Sequence, residues 1–192
     1  MKRILFFLIF IFVLYLLFRK ENIDQIELNF NRFEQVIFSI NSENANDKLQ
    51  VLEEDFDTFN EVFEAHIIQR RSVSDTAYVQ EIFKFINHPD MREAYDSVAL
   101  MYDDFSDVQQ ELTSGFSHFH YFFPSHPIPD ITTFFGGFNY GVISYDNNIA
   151  IGLENFLGNR SKFYQYLEDP EYLRFQKQKK FILSNVMEVW FN

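Results

Sequence analysis

Apolar residues first alternate, at Ile26, Leu28 and Phe30, and then recur at helical spacing, at Phe33, Val36, Ile37 and Ile40. The change of period predicts a short extended stretch followed by a helix, which the polar run Asn41 to Asp47 ends. A second stripe, Leu49, Leu52, Phe56, Phe59, Phe63 and Ile67, predicts a helix from Asp47 to about Ile68, with Glu53, Glu54 and Asp57 on its outer side. Tyr78, Val79, Ile82 and Phe83 predict a third helix, Asp75 to Ile86, and Asn87-His88-Pro89-Asp90 then supplies a break and a new helix start. From Met91 the series Tyr95, Val98, Tyr102, Phe105, Val108, Leu112, Phe116 and Phe119 keeps steps of three or four, which predicts one long amphipathic helix or two end to end.

The pattern changes at Pro124, Pro127 and Pro129, which forbid regular structure. Beyond them Ile131 to Phe135 reads as a strand, Gly136-Gly137 as a bend, Tyr140 to Tyr145 as a second strand, and Ile149 to Leu153 as a third. Asp146-Asn147-Asn148 is a hairpin turn that tolerates left-handed backbone. The tail from Ser161 reads as helical, with a break at Asp169-Pro170. The expected fold class is therefore α+β: helices first, a small antiparallel sheet over about residues 131–153, and a C-terminal helix.

One segment stands apart from this periodicity. Met1-Lys2-Arg3 precedes fifteen uncharged residues, Ile4 to Phe18, and Arg19-Lys20 follow. That is the pattern of an export signal or a short signal anchor, and no run of small residues follows to mark a cleavage site. Fifteen residues rise somewhat less than a hydrocarbon core of roughly 30 Å, so a span would rely on the flanking cations reaching the interface. Residues 1–20 are thus expected to hold the chain at the membrane, and residues 21–192 to form one domain.

Composition sharpens the picture. With 26 Phe and 10 Tyr against 6 Gly and 5 Pro, the core should be aromatic. The net charge of -12 understates the acidity of the domain, because four of the 16 basic residues flank the apolar segment and leave 12 against all 28 acids. Such a surface repels phosphate backbones, so nucleic acid is not an expected partner. Arg160, Lys162, Arg174, Lys177, Lys179 and Lys180 gather late in the chain, as a solvated helix surface or a basic face. Cysteine is absent, which removes disulfides, thiolate metal sites, a cysteine nucleophile and cysteine lipidation.

Candidate chemistry is sparse. His118, His120 and His126 lie within nine residues, and imidazole is a common metal ligand. On a helix His118 and His120 would point about 200° apart, so a shared metal requires the helix to end before His118. No HExxH pattern occurs, the acidic pairs Glu53-Glu54 and Asp103-Asp104 lack calcium-loop spacing, and neither Ser125 nor Ser144 lies in a nucleophile motif. No catalytic residue and no cofactor follows from these positions.

Three stretches together resemble a known family: Ile26-Glu27-Leu28-Asn29-Phe30-Asn31-Arg32-Phe33-Glu34, His120-Tyr121-Phe122-Phe123-Pro124, and the run from Val142 through Ile151-Gly152-Leu153-Glu154-Asn155-Phe156-Leu157-Gly158. With Tyr164 and Pro170-Glu171-Tyr172 after them, they are similar to the gliding-motility lipoprotein GldB family of Bacteroidota. The resemblance implies an envelope protein at the cell membrane, its domain facing the periplasm, partnered with gliding and secretion machinery and acting through protein contacts. It also implies a fold like that of zinc-peptidase domains, although the HExxH signature is missing here. The family places a lipid-bearing cysteine after the apolar run, where this chain has Leu16-Leu17-Phe18-Arg19. Family members continue past the point matching Val186-Met187-Glu188, so Trp190-Phe191-Asn192 reads as an early end. Two other readings stand beside this one: a metal-dependent hydrolase-like protein using the three histidines, and a cell-wall-binding module using an aromatic surface around Tyr121, Tyr140 and Tyr145.

Overall fold

The structure is a computed structural model that describes residues 23–68 and 75–192. The apolar segment Ile4 to Phe18 lies outside the described residues. Among the described residues, no helix is long and apolar enough to cross a membrane.

The alternating stretch is strand only at its last residue, where it enters β1 (Phe30–Arg32), which runs straight into a helix, α1 (Phe33–Phe38). The predicted helix from Asp47 to Ile68 is divided. It runs as α2 (Ala45–Asp55) and α3 (Asp57–Phe63), kinked at Phe56, and ends in a π-helical turn, Glu64–Ile68. The stripe nevertheless holds: Leu52, Phe59 and Phe63 are fully buried. Helix α4 (Asp75–Ile86) matches the predicted span. The long periodic series is two helices, α5 (Pro89–Met101) and α6 (Ser106–Phe122), with Pro89 in the first turn of α5. The break falls where buried Tyr102 donates its hydroxyl to Phe156 O at 2.9 Å, which turns the chain toward the sheet.

Strands β2 (Ile131–Phe134), β3 (Val142–Tyr145) and β4 (Asn148–Gly152) follow, then a 3-10 turn, Leu153–Phe156. Short helices α7 (Lys162–Tyr166) and α8 (Glu171–Gln176), a 3-10 turn at Lys179–Phe181 and α9 (Ile182–Phe191) complete the chain.

The expectation of an antiparallel sheet is corrected. The sheet is mixed, in the order β1-β2-β4-β3; β1 and β2 are parallel, β2 and β4 are parallel, and only β3 runs antiparallel to β4. Burial explains the order. Ile149, Ala150 and Ile151 are fully buried, as a strand covered on both faces requires, whereas β3 is half-buried and ends up at the edge. The chain leaving β2 therefore passes to the far side first and returns through the hairpin, so that the most apolar strand occupies the middle. The parallel β1–β2 pair is closed by all the helices from α1 to α6, a crossover of the length such pairs need.

The core is aromatic, as the composition implies. Phe33 packs against Phe56, Phe59 and Phe63 at 4.7 to 5.2 Å between ring centroids, and Phe38 stacks on Tyr95 at 3.8 Å.

Candidate functional site

Edge strand β3 is the centre of the site. Its hairpin turns through Asp146 and Asn147, both at positive φ (42° and 60°), so Tyr145 and Asn148 flank a two-residue turn. Gly152 N–H donates to Gly141 O at 2.8 Å, two hydrogen-bonded steps further along the same ladder. The main-chain groups of Gly141, Ile143 and Tyr145 thus face β4, and those of Val142 and Ser144 face away from the sheet. Among the described residues no further strand pairs with that edge.

A cavity lies on each side of the free edge. On one side Phe59, Val62, His66, Ile67 and Ile143 line about 280 Å³. On the other, the end of α6, the hairpin turn and α9 enclose about 650 Å³, lined by Phe119, Phe123, His126, Asp146 and Trp190 among others. Exposed Ser144 borders both.

The run from Gly152 to Asn155 holds this edge in place. Glu154 Oε1 accepts the backbone N–H of Gly136 at 2.7 Å and of Phe138 at 3.0 Å, fixing a loop in which Gly137 and Phe138 both have positive φ. Asn155 Nδ2 donates to Tyr140 O at 2.9 Å. That same carbonyl lies 2.2 Å from where a Cβ on Gly152 would sit, so only glycine lets the loop pass over β4. Burial drives the Glu154 carboxyl up to about 7 against the pull of its two N–H donors, and its Oε2 has no partner. Burial likewise pushes up the phenols of Tyr102 and Tyr164, whose hydroxyls bond the backbone of the same 3-10 turn.

A second buried carboxylate, Glu34, accepts from Arg32 Nε at 2.6 Å and from Thr133 Oγ1 at 2.7 Å, binding α1 to the central strands. The sequence reading assigns no role to either glutamate. The signal for Glu154 was there, since it is the only ionisable residue between Ile149 and Leu157.

The histidines are separated by the helix that carries two of them. α6 runs through Phe122, so the condition for a metal shared by His118 and His120 is not met. His118 is exposed and its Nδ1 donates to Ser114 O at 2.7 Å; His120 is half-buried with Nδ1 unpartnered. His126 stands at the cavity wall beside Phe119 and Phe123, at 5.8 and 5.9 Å. Among the described residues no three His, Asp or Glu side chains are grouped to hold a metal ion. Of the three tyrosines, Tyr121 and Tyr140 are exposed, while Tyr145 turns inward to pair its hydroxyl with Thr132 at 2.8 Å.

A sequence model of the family described as gliding motility protein GldB matches residues 19–192. No curated protein and no solved structure matches the chain.

Proposed function

The chain belongs to the gliding motility protein GldB family, and on that premise we propose that it is a non-catalytic envelope component of the gliding and associated secretion machinery that docks a partner protein along β3. Residues 4–18 hold it in the cell membrane in this reading, and the domain faces the periplasm.

The observation that carries the docking reading is the free edge of β3 between two cavities. A strand added beside Val142 and Ser144 would direct alternate side chains to opposite faces, into one cavity and then the other. Main-chain hydrogen bonds would supply affinity, and the aromatic walls would select large apolar side chains. The cavity walls carry Asp146 and no Lys or Arg, so cationic residues beside the apolar ones match the site.

Ser144→Pro tests this. Proline there removes an outward N–H and leaves the bonds between β3 and β4 intact. Expressed from its own locus in the native host, the variant is expected to accumulate normally in the membrane and to abolish gliding over surfaces. Normal gliding in that strain refutes docking along β3, and normal gliding in a clean deletion refutes the assignment to the machinery altogether.

A further inference from the structure

The chain between β4 and α9 makes a long excursion closed at its neck. Gly158 N–H donates to Lys177 O at 2.8 Å and Leu157 bridges to Gln178, so the residues between them form a lobe with its own base. Lys177 ties the interior of the lobe by an ion pair to Asp169 at 2.6 Å. Phe163 and Tyr164 point into the core, but Tyr166, Leu167, Tyr172, Leu173 and Phe175 do not. Tyr166 and Tyr172 are each 73% exposed, and Phe175 is 55% exposed. Five large apolar side chains on one short lobe exceed the single scattered residues of an ordinary surface.

Charge is distributed in the same sense. Gly158 to Phe181 holds six basic and three acidic residues, while the rest of the chain holds ten and 25. Lys162, Lys177 and Lys179 are paired with Glu93, Asp169 and Asp107, whereas Arg160, Arg174 and Lys180 have no ion pair among the described residues. Lys180 instead lies over the rings of Phe175 and Phe181, at 5.4 and 5.0 Å, placing a cation among the exposed aromatics. An anionic surface would repel the acidic body and accept this lobe.

Position supplies the last element. The described chain enters at Ile23, and Ile26 N–H is held by Ser117 Oγ of α6 at 3.1 Å. The base of the lobe meets the same helix through Lys179 and Asp107 at 2.7 Å. Those α6 residues are ten apart, about 15 Å along the axis. The first described residues and the base of the lobe are thus tied to one helix.

We propose that the lobe formed by α7 and α8 rests on the anionic headgroup surface of a lipid bilayer, with its tyrosines and Phe175 at the interface and Arg160, Arg174 and Lys180 among the headgroups. This rests on the reading of residues 4–18 as a membrane anchor, but not on docking along β3. The full chain is read in phosphatidylcholine vesicles with and without phosphatidylglycerol. Because the chain has no cysteine, an environment-sensitive fluorophore can be placed singly at Tyr172→Cys or at the exposed control Glu53→Cys.

The expected result is a blue shift at position 172 on anionic vesicles, absent at position 53, and lost when Arg160, Arg174 and Lys180 are all replaced by Glu. No shift on anionic vesicles, an equal shift at both positions, or a shift that persists in the charge-reversed variant overturns the proposal. A shift that grows with protein density at fixed lipid also overturns it, because a second copy then covers the patch. If the chain fails to sediment with neutral vesicles, the anchor reading falls; the lobe is then judged on anionic vesicles alone, where binding supports it and its absence refutes it.

Discussion

Two backbone N–H groups point at one oxygen of Glu154, and nothing points at the other. The carboxyl is fully buried and raised from 4.5 to about 7. The folded state therefore binds this proton more tightly than the unfolded chain does, and stability is lost as pH rises through the interval between those values, by about 3 kcal/mol in all. Glu154→Gln keeps an oxygen for the Gly136 and Phe138 donors and removes the charge. It is expected to abolish that part of the pH dependence, leaving the variant the more stable protein at pH 8, as urea unfolding at several pH values would read. A wild-type stability that does not fall between pH 4.5 and 7 contradicts the assignment. Glu34 is held by an ion pair with Arg32. Arg32→Ala leaves a buried carboxylate with Thr133 alone and is expected to cost about 3 to 5 kcal/mol in the same measurement. Neither carboxylate's environment can be read from sequence. Glu34 looks like any polar residue on a helix, and Glu154 differs only in being a lone acid in an apolar run.

At the scale of elements, periodicity found most helices and placed their buried faces, because burial selects side chains by their spacing. It did not find the kink at Phe56, and it left one helix or two open for the series from Met91, since an apolar stripe continues unchanged across a bend. Tyr102, whose long-range hydrogen bond marks the second break, reads as one more stripe residue. Strand pairing was less legible still. The turn at Asp146-Asn147 specified the β3–β4 hairpin, whereas nothing local told β2 to pair with β4 in parallel rather than with β3. The packing of β4 beneath the loop before β3 gives a direct test. Gly152→Ala places a Cβ 2.2 Å from Tyr140 O, a backbone atom that cannot swing aside. The substitution is expected to cost about 3 kcal/mol, at the upper end of overpacking effects, with the loss visible as a lower urea midpoint. A neutral result shows that the loop can lift, and that β3 is held less firmly than its hydrogen bonds suggest.

For the whole molecule, the sequence supplies an apolar leading segment, and the described residues supply a free strand edge between two aromatic cavities and an aromatic, basic lobe on an otherwise acidic body. The first yields a prediction of its own. With no cysteine to carry lipid, a chain held by residues 4–18 is expected to extract with detergent at its full length and to incorporate no labelled fatty acid. A shortened chain in the aqueous fraction would count against the anchor. The sequence by itself determined the α+β class, the aromatic core, the hairpin, the acidic balance and the family resemblance. These follow from composition and local spacing, which every stretch of chain carries within itself. Only the tertiary structure decided the mixed strand order, the unpaired edge of β3, the separation of His118 from His120 by a continuing helix, and the burial of Glu154. Each of these depends on which distant surfaces compete for the same interior, and the most apolar strand took the centre of the sheet because it loses most by facing water.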